Sequence, residues 1–266
     1  YKHVTIIDFV DKRQELKPWI RKGVKYFQQK ITPINIGQVL SKHVGPGGLI
    51  LDLAWNISCV DILTWCHDNK VFYANTSVEE WDPYKDSQRN DPTKYTLYAR
   101  HMELRKMIER WGANPGPTAI VDHGANPGLV SHFTKHALVD IAKKILKEKP
   151  NDERRARLEK ALRDNDFARL AQVVGVKTIH ISERDTQITN RPKEVNEFVN
   201  TWSIEGFFEE GVAPAELGWG THERNIPPKA YFHKVGPKNQ ICLSSLGMRT
   251  WVRSWVPCGE ITGMVI

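Results

Sequence analysis

Short apolar runs alternate with stretches of helical spacing along the first half of the chain. His3 to Asp8 (HVTIID), Leu49 to Ala54 (LILDLA), Val71 to Thr76 (VFYANT) and Thr118 to Asp122 (TAIVD) read as buried strands. A strand covered on both faces needs no polar alternation, so it appears as a near-continuous apolar run. Val24 to Ile31 adds a similar run. Between the runs, Ile34 to His43, Val60 to Asp68 and Tyr95 to Trp111 carry apolar residues at helical spacing, and Gly45-Pro46-Gly47-Gly48 stops the first of these helices. Strands alternating with helices predict an α/β fold, a parallel sheet with crossover helices.

A helix is predicted over Leu129 to Lys147, and the stretch Asn151 to Leu170, with acids and bases intermixed at helical spacing, reads as a solvated helical insertion. From Val176 the pattern changes to alternation, in 176–187 (VKTIHISERDTQ), Lys229 to Leu246 and Met248 to Trp255. This predicts a second, α+β domain with an antiparallel sheet, and the boundary is placed at 147/148.

In an open parallel sheet, ligands bind outside the carboxyl ends of the strands. Three loops occupy that position: Trp55 to Ser58, Asn75 to Trp81 and His123 to Gly128. Each offers small or amide residues that bond a cofactor without bringing charge. Asp8 ends its strand where a dinucleotide-binding fold places the acid that takes the adenosine ribose hydroxyls. Pro127 fits a first helical turn. Asn126 before it is either an N-cap or a residue facing cofactor or substrate at an electropositive helix start.

Charge changes this picture at one place. The chain has a net charge of +7, yet between Glu194 and Glu223 it holds seven glutamates and no Asp, Lys or Arg, which leaves +14 to the rest. Within that window Trp202, Phe207, Phe208 and Trp219 alternate with Glu205, Glu209, Glu210 and Glu216. Carboxylates beside an aromatic face suit an ammonium ion. The other reading is an amphipathic surface segment with its aromatics inward and its glutamates solvated. Gly206, Gly211, Gly218 and Gly220, with Pro214, predict an irregular loop rather than a helix. Elsewhere Lys and Arg are scattered, not gathered into a stripe, which argues against a nucleic-acid partner. No apolar run reaches the length of a membrane span, so no membrane partner is expected. The four cysteines lack the spacing of a metal site or a disulfide framework. They read as reduced thiols of a cytoplasmic protein, with no metal.

GANPGLVSHFTKHAL, HISERDTQ, NTWSIEGFFEEG and PAELGWGTHE, in that order, resemble the homospermidine synthases of the saccharopine-dehydrogenase-like family, from HVTIID to the closing GEITGMVI. The resemblance implies a Rossmann-like NAD-binding domain over 1–147. It implies a substrate-binding and dimerisation domain over 148–266, and a homodimer. NAD would be used and regenerated within one turnover. Putrescine is oxidised to an imine, ammonia leaves as a second putrescine attacks, and reduction of the Schiff base gives sym-homospermidine. Spermidine serves some members as donor.

By the same resemblance, Trp202, Glu183, Glu210 and Asn126 are catalytic, Trp202 lying against the cationic intermediate. Glu79 and His222 bind substrate. Asp8, Asn56, Ile57, Ser58, Asn75, Thr76, Ser77, Asn126 and Pro127 line the cofactor. The family's first strand and Gly-x-Gly-x-x-Gly turn precede the ribose acid, so this chain is expected to lack them and to be truncated at its C-terminus. Two alternatives stay open: a carboxynorspermidine or saccharopine dehydrogenase-like oxidoreductase, whose carboxylated substrates call for Arg or Lys, and a non-catalytic fragment or paralogue without the phosphate-binding turn.

Overall fold

A computed structural model describes residues 1–82, 96–177, 179, 186–197, 199, 204–220 and 223–246, apart from the side chains of Glu205, Glu209, Glu210 and Leu246. The chain divides into two compact units. One is Tyr1–Asp86 with Glu103–Gly124, and the other is Ser87–Met102 with Ala125–Ile266.

The first unit carries the parallel strands. β1 (Thr5–Asp8) and β2 (Lys25–Gln28) form one parallel pair, and β3 (Leu49–Asp52), β4 (Phe72–Asn75) and β5 (Ala119–Ile120) form a second parallel sheet in that order. The apolar runs therefore became strands of an α/β fold, as the pattern predicts. α2 (Ile36–His43) and α3 (Cys59–Asn69) lie where helical spacing placed them, and α4 (Leu97–Trp111) begins two residues after Tyr95. α1 (Arg13–Ile20) was not expected: it contains Pro18 and buries none of its residues, so it carries no apolar stripe to read.

One face of the three-stranded sheet is covered. Tyr73 from β4 is packed with Cys59, Ile62, Leu63 and Cys66 of α3 and with Leu104 and Met107 of α4. On β3 the alternate residues Leu49 and Leu51 point the other way and are exposed. Asp52 and Asn75 are register partners at the carboxyl ends of β3 and β4, on the covered face.

The second unit takes Leu97–Met102 of α4 and, after Ala125, carries α5 (Leu129–Glu148), α6 (Arg155–Arg163) and α7 (Phe167–Val174). Leu138, Ala142, Leu158, Ala161, Leu170 and Val173 make their common core. The stretch Asn151 to Leu170 is thus no solvated insertion, since Leu158 and Leu170 are fully buried; its charges cover the outside of a helix pair. α5 packs on α6 and α7. This sets it in the second unit, whereas the sequence reading drew its boundary after this helix.

α8 (Ile204–Val212) is a helix despite Gly206 and Gly211, against the expectation of an irregular loop. Each helical glycine costs about 1 kcal/mol relative to alanine, which the remaining residues of the segment outweigh. β6 (Pro214–Gly218) follows and pairs antiparallel with β8 (Gln240–Leu246), whose other edge pairs antiparallel with β7 (Ala230–Phe232). Pro214 opens its strand, the position where a missing N–H costs least. The antiparallel sheet expected of the second part is therefore present, with Ala215 and Leu217 as its buried positions in β6.

Candidate functional site

Three turns follow the carboxyl ends of β3, β4 and β5, and backbone and side-chain bonds hold them together. The turn after β3 starts at Asp52, whose Oδ1 accepts from the Ala54 amide at 3.0 Å. Asn56 stands in the left-handed region (φ 59°). Its amide Nδ2 donates to Asp82 at 3.3 Å, and its Oδ1 accepts from the Asp82 backbone. Ser58 caps α3, accepting from the Asp61 amide at 3.1 Å, and Cys59 N donates to the Glu79 carbonyl at 3.0 Å. The turns after β3 and β4 are therefore one surface.

The turn after β5 is tied in through Asn75. The Asn75 side-chain oxygen accepts from Asp122 N at 2.8 Å and its backbone carbonyl accepts from His123 N at 3.0 Å. Its Nδ2 donates to the Tyr73 hydroxyl at 3.0 Å and to Cys59 Sγ at 3.3 Å. Tyr73 in turn donates to Asp52 Oδ2 at 2.8 Å. Burial pushes the Asp52 carboxyl above its ordinary range, although the Tyr73 hydrogen bond opposes this. Burial likewise lifts the Cys59 thiol to about 12 and raises the Tyr73 phenol. Both stay neutral and serve as hydrogen-bonding groups, not as nucleophile or base.

Each residue expected at the cofactor can be placed. Asp8 ends β1, with one carboxylate oxygen accepting from Val10 N at 2.8 Å. Asn56, Ile57 and Ser58 form the half-buried turn before α3. Asn75 is buried, 2% exposed, and its side chain is fully committed inside the unit. Thr76 and Ser77 beyond it are exposed. Ser77 donates to Glu79 Oε1 at 2.7 Å, while the other oxygen, Oε2, is buried and has no hydrogen-bond partner among the described residues.

Asn126 and Pro127 belong to the second unit. α5 starts after Gly128 (φ 117°), and no side chain caps it. Asn126 is therefore not the N-cap, and Pro127 is outside the first turn; the Asn126–Pro127 peptide is cis and the Asn126 side chain is exposed. Trp202, Glu183 and His222 lie outside the described residues, as does the side chain of Glu210.

The acidic window resolves into parts. Arg191 binds Glu194 at 3.2 Å and Glu197 through both guanidinium nitrogens, at 2.5 and 3.0 Å, and it holds the Glu197 carboxyl below its ordinary range. Glu216 Oε1, on β6, accepts from Nε2 of His233, the residue after β7, at 2.9 Å. Phe207 and Phe208 on α8 are exposed, 40% and 53%, which does not fit a segment with its aromatics turned inward. Glu216 and its histidine were not singled out as a pair, nor were Asp52 and Tyr73. The one signal for the latter was a polar group inside an otherwise apolar strand.

Comparison with known proteins agrees with this arrangement. Residues 1–120 match the saccharopine dehydrogenase NADP binding domain, and residues 124–265 match the saccharopine dehydrogenase C-terminal domain. A homospermidine synthase of Mesorhizobium japonicum is 37% identical over 258 residues, covering 96% of this chain and 51% of the relative. One from Blastochloris viridis is 38% identical over 261 residues, with the same coverage of 96% and 51%. The crystal structure of the homospermidine synthase from Legionella pneumophila in complex with NAD superposes with a TM-score of 0.70 at 33% identity, covering 100% of this chain and 52% of that one. The chain thus spans about half the length of the relatives it matches. It belongs to the saccharopine dehydrogenase family.

Proposed function

We propose that the protein is an NAD-dependent homospermidine synthase, joining two putrescine units, or an aminobutyl group from spermidine and putrescine, with no net redox change. The observation that carries this reading is the joined set of turns at the ends of β3, β4 and β5, in which a buried oxygen of Glu79 lacks a donor among the described residues. A buried acceptor left unpaired costs about 1–3 kcal/mol. A ribose hydroxyl, a carboxamide N–H or an ammonium would each satisfy it, so the residues present fit a dinucleotide with an amine beside it.

When bound, NAD supplies reversible two-electron chemistry at an amine-bearing carbon. The chain's own residues do the rest of the work. Asp8 accepts from the adenosine ribose, and its negative charge disfavours a 2′-phosphate, hence NAD over NADP. The turns at Asn56–Ser58 and Asn75–Ser77, with Asn126 and Pro127, line the cofactor. Glu183, Glu210, Glu79 and His222 hold the diamine's ammonium groups and take the proton that the reacting amine must lose. Trp202 lays its indole against the cation, worth about 0.5–2 kcal/mol.

Arg191 bears on the alternative. A carboxylated substrate calls for Arg or Lys to receive it; of Arg184, Arg191 and Arg224, which flank the acidic window, Arg191 is already bound to Glu194 and Glu197, and Arg184 lies outside the described residues. The homodimer and the cytoplasmic location belong to the same proposal. The test is to supply putrescine, spermidine and carboxylated amines separately with NAD and identify products by mass spectrometry. Homospermidine from putrescine supports the reading. A product made only from a carboxylated amine replaces it with the dehydrogenase, and no product from any of them supports a non-catalytic chain.

A further inference from the structure

The chain Asn75–Tyr73–Asp52 is buried, polar and outside the set of groups that meet the substrate. Tyr73 is 1% exposed, Asn75 2% and Asp52 9%. No cation pairs with Asp52 among the described residues; its two oxygens are met by the Ala54 amide and the Tyr73 hydroxyl. A core of this size needs no such group. Buried polar networks are commonly neutral or unfavourable for stability relative to apolar packing of the same volume. What this one achieves is geometric. Its four side-chain bonds run from the turn after β3, through the end of β4, to the turn after β5. At that last turn Asp122 is held in the left-handed region (φ 53°), a conformation unfavourable for a non-glycine residue, by the Asn75 bond to its amide.

We infer that the side chains of Asp52, Tyr73 and Asn75 are positioning groups, which themselves touch no ligand and hold the three strand-end turns in one register so that their backbones, that of Asn75 included, can receive a dinucleotide. The inference rests on the NAD-binding reading above. It makes Tyr73 the central link, because its hydroxyl accepts from Asn75 and donates to Asp52. Removing that one oxygen leaves the ring in the core and breaks the buried link from Asp52 to Asn75, so that the bonds of Asn56 and Cys59 alone among those above hold the turn after β3 to the turn after β4.

The experiment compares NAD affinity of the full chain by calorimetry for wild type, Tyr73→Phe and Cys66→Ala, all at a temperature where circular dichroism shows each folded. Cys66 is 2% exposed in the same core and takes no part in the network, so Cys66→Ala reports what loosened packing alone does. Tyr73→Phe is expected to lower NAD affinity about ten-fold, mainly by faster dissociation, while Cys66→Ala stays within about two-fold of wild type. Should Tyr73→Phe not fold, Asn75→Ser is measured in its place, with the same expectation. Wild-type affinity in Tyr73→Phe, or equal losses in both variants, overturns the inference. Absence of NAD binding by the wild type itself overturns the cofactor reading beneath it, a different result from either.

Discussion

Glu216 Oε1 lies 2.9 Å from His233 Nε2, with both side chains largely buried and the ring of Tyr98 stacked on the imidazole at 3.9 Å. A glutamate in the most acidic window of a basic chain is therefore part of the antiparallel sheet's interior. Glu216→Ala leaves a buried imidazole nitrogen without its partner and should cost about 1–3 kcal/mol. Glu216→Gln keeps a hydrogen bond and should cost less. Urea unfolding of the two variants checks this, and unchanged stability in Glu216→Ala would show that the contact contributes nothing.

His67 makes stability depend on pH in a defined direction. Its Nδ1 is 2.9 Å from Asp68 Oδ1 and its Nε2 is 2.8 Å from the Asn114 carbonyl, with the ring stacked on Trp111 at 4.1 Å. Acceptors at both nitrogens favour the imidazolium, so the Asp68 bond first, and then the Asn114 carbonyl, raise the pKa. With the folded value above the unfolded one, the stabilisation is complete below about pH 6.5 and is lost as pH rises through the folded value. The stability difference between wild type and His67→Gln should thus be largest near about pH 5.5 and shrink by about pH 9. A difference that grows with pH contradicts it.

Gly116 adds a steric partner to the same clamp. It has φ 70°, and a Cβ there would come within 2.5 Å of His67 Cδ2. Gly116→Ala should lower the melting temperature in wild type more than in His67→Ala, where the obstructing ring is gone. Equal losses in the two backgrounds would leave only the backbone strain.

Ser58 has an observed role and a proposed one, and they can be separated. As the N-cap of α3 it accepts from Asp61 N, so Ser58→Ala should cost about 1 kcal/mol, and Ser58→Asp should restore the cap. If Ser58 also lies against the cofactor, Ser58→Asp should recover stability without recovering NAD affinity, because it would set a negative charge against an anionic ligand. Thermal melts with and without NAD separate the two.

What could be read from the residues alone follows from the range of the interactions involved. β1, β3, β4 and α3 were legible because each carries its own apolar pattern, and the Gly-rich break after α2 is a local signal. α1 and α8 were not, since Pro18 in one and Gly206 and Gly211 in the other oppose a helix at the level of local propensity. The candidate turns were found by position, at strand ends. Their fastening was not, because Asn75 reaches Asp122 and Tyr73 reaches Asp52 across 47 and 21 residues of sequence. The acidic window looked like one feature from its composition, whereas Arg191 and His233 divide it. Only the folded sheet brings His233 to Glu216, 17 residues away in sequence.

Glu210→Gln and Trp202→Ala probe the substrate side of the proposal. Glu210→Gln should weaken diamine binding by an amount that shrinks as salt rises. Trp202→Ala should reduce turnover strongly while NAD occupancy and melting temperature stay near wild type. Unfolding of Trp202→Ala would make Trp202 a core residue and remove it from the site.

The central claim is that one bound dinucleotide takes and returns the same electron pair while two diamines are joined. The direct measurement follows homospermidine by mass spectrometry and NADH by absorbance in a single reaction of the protein with putrescine and catalytic NAD. The account predicts many product molecules per NAD with no accumulation of NADH. One NADH formed per product molecule, or NADH without homospermidine, would contradict it.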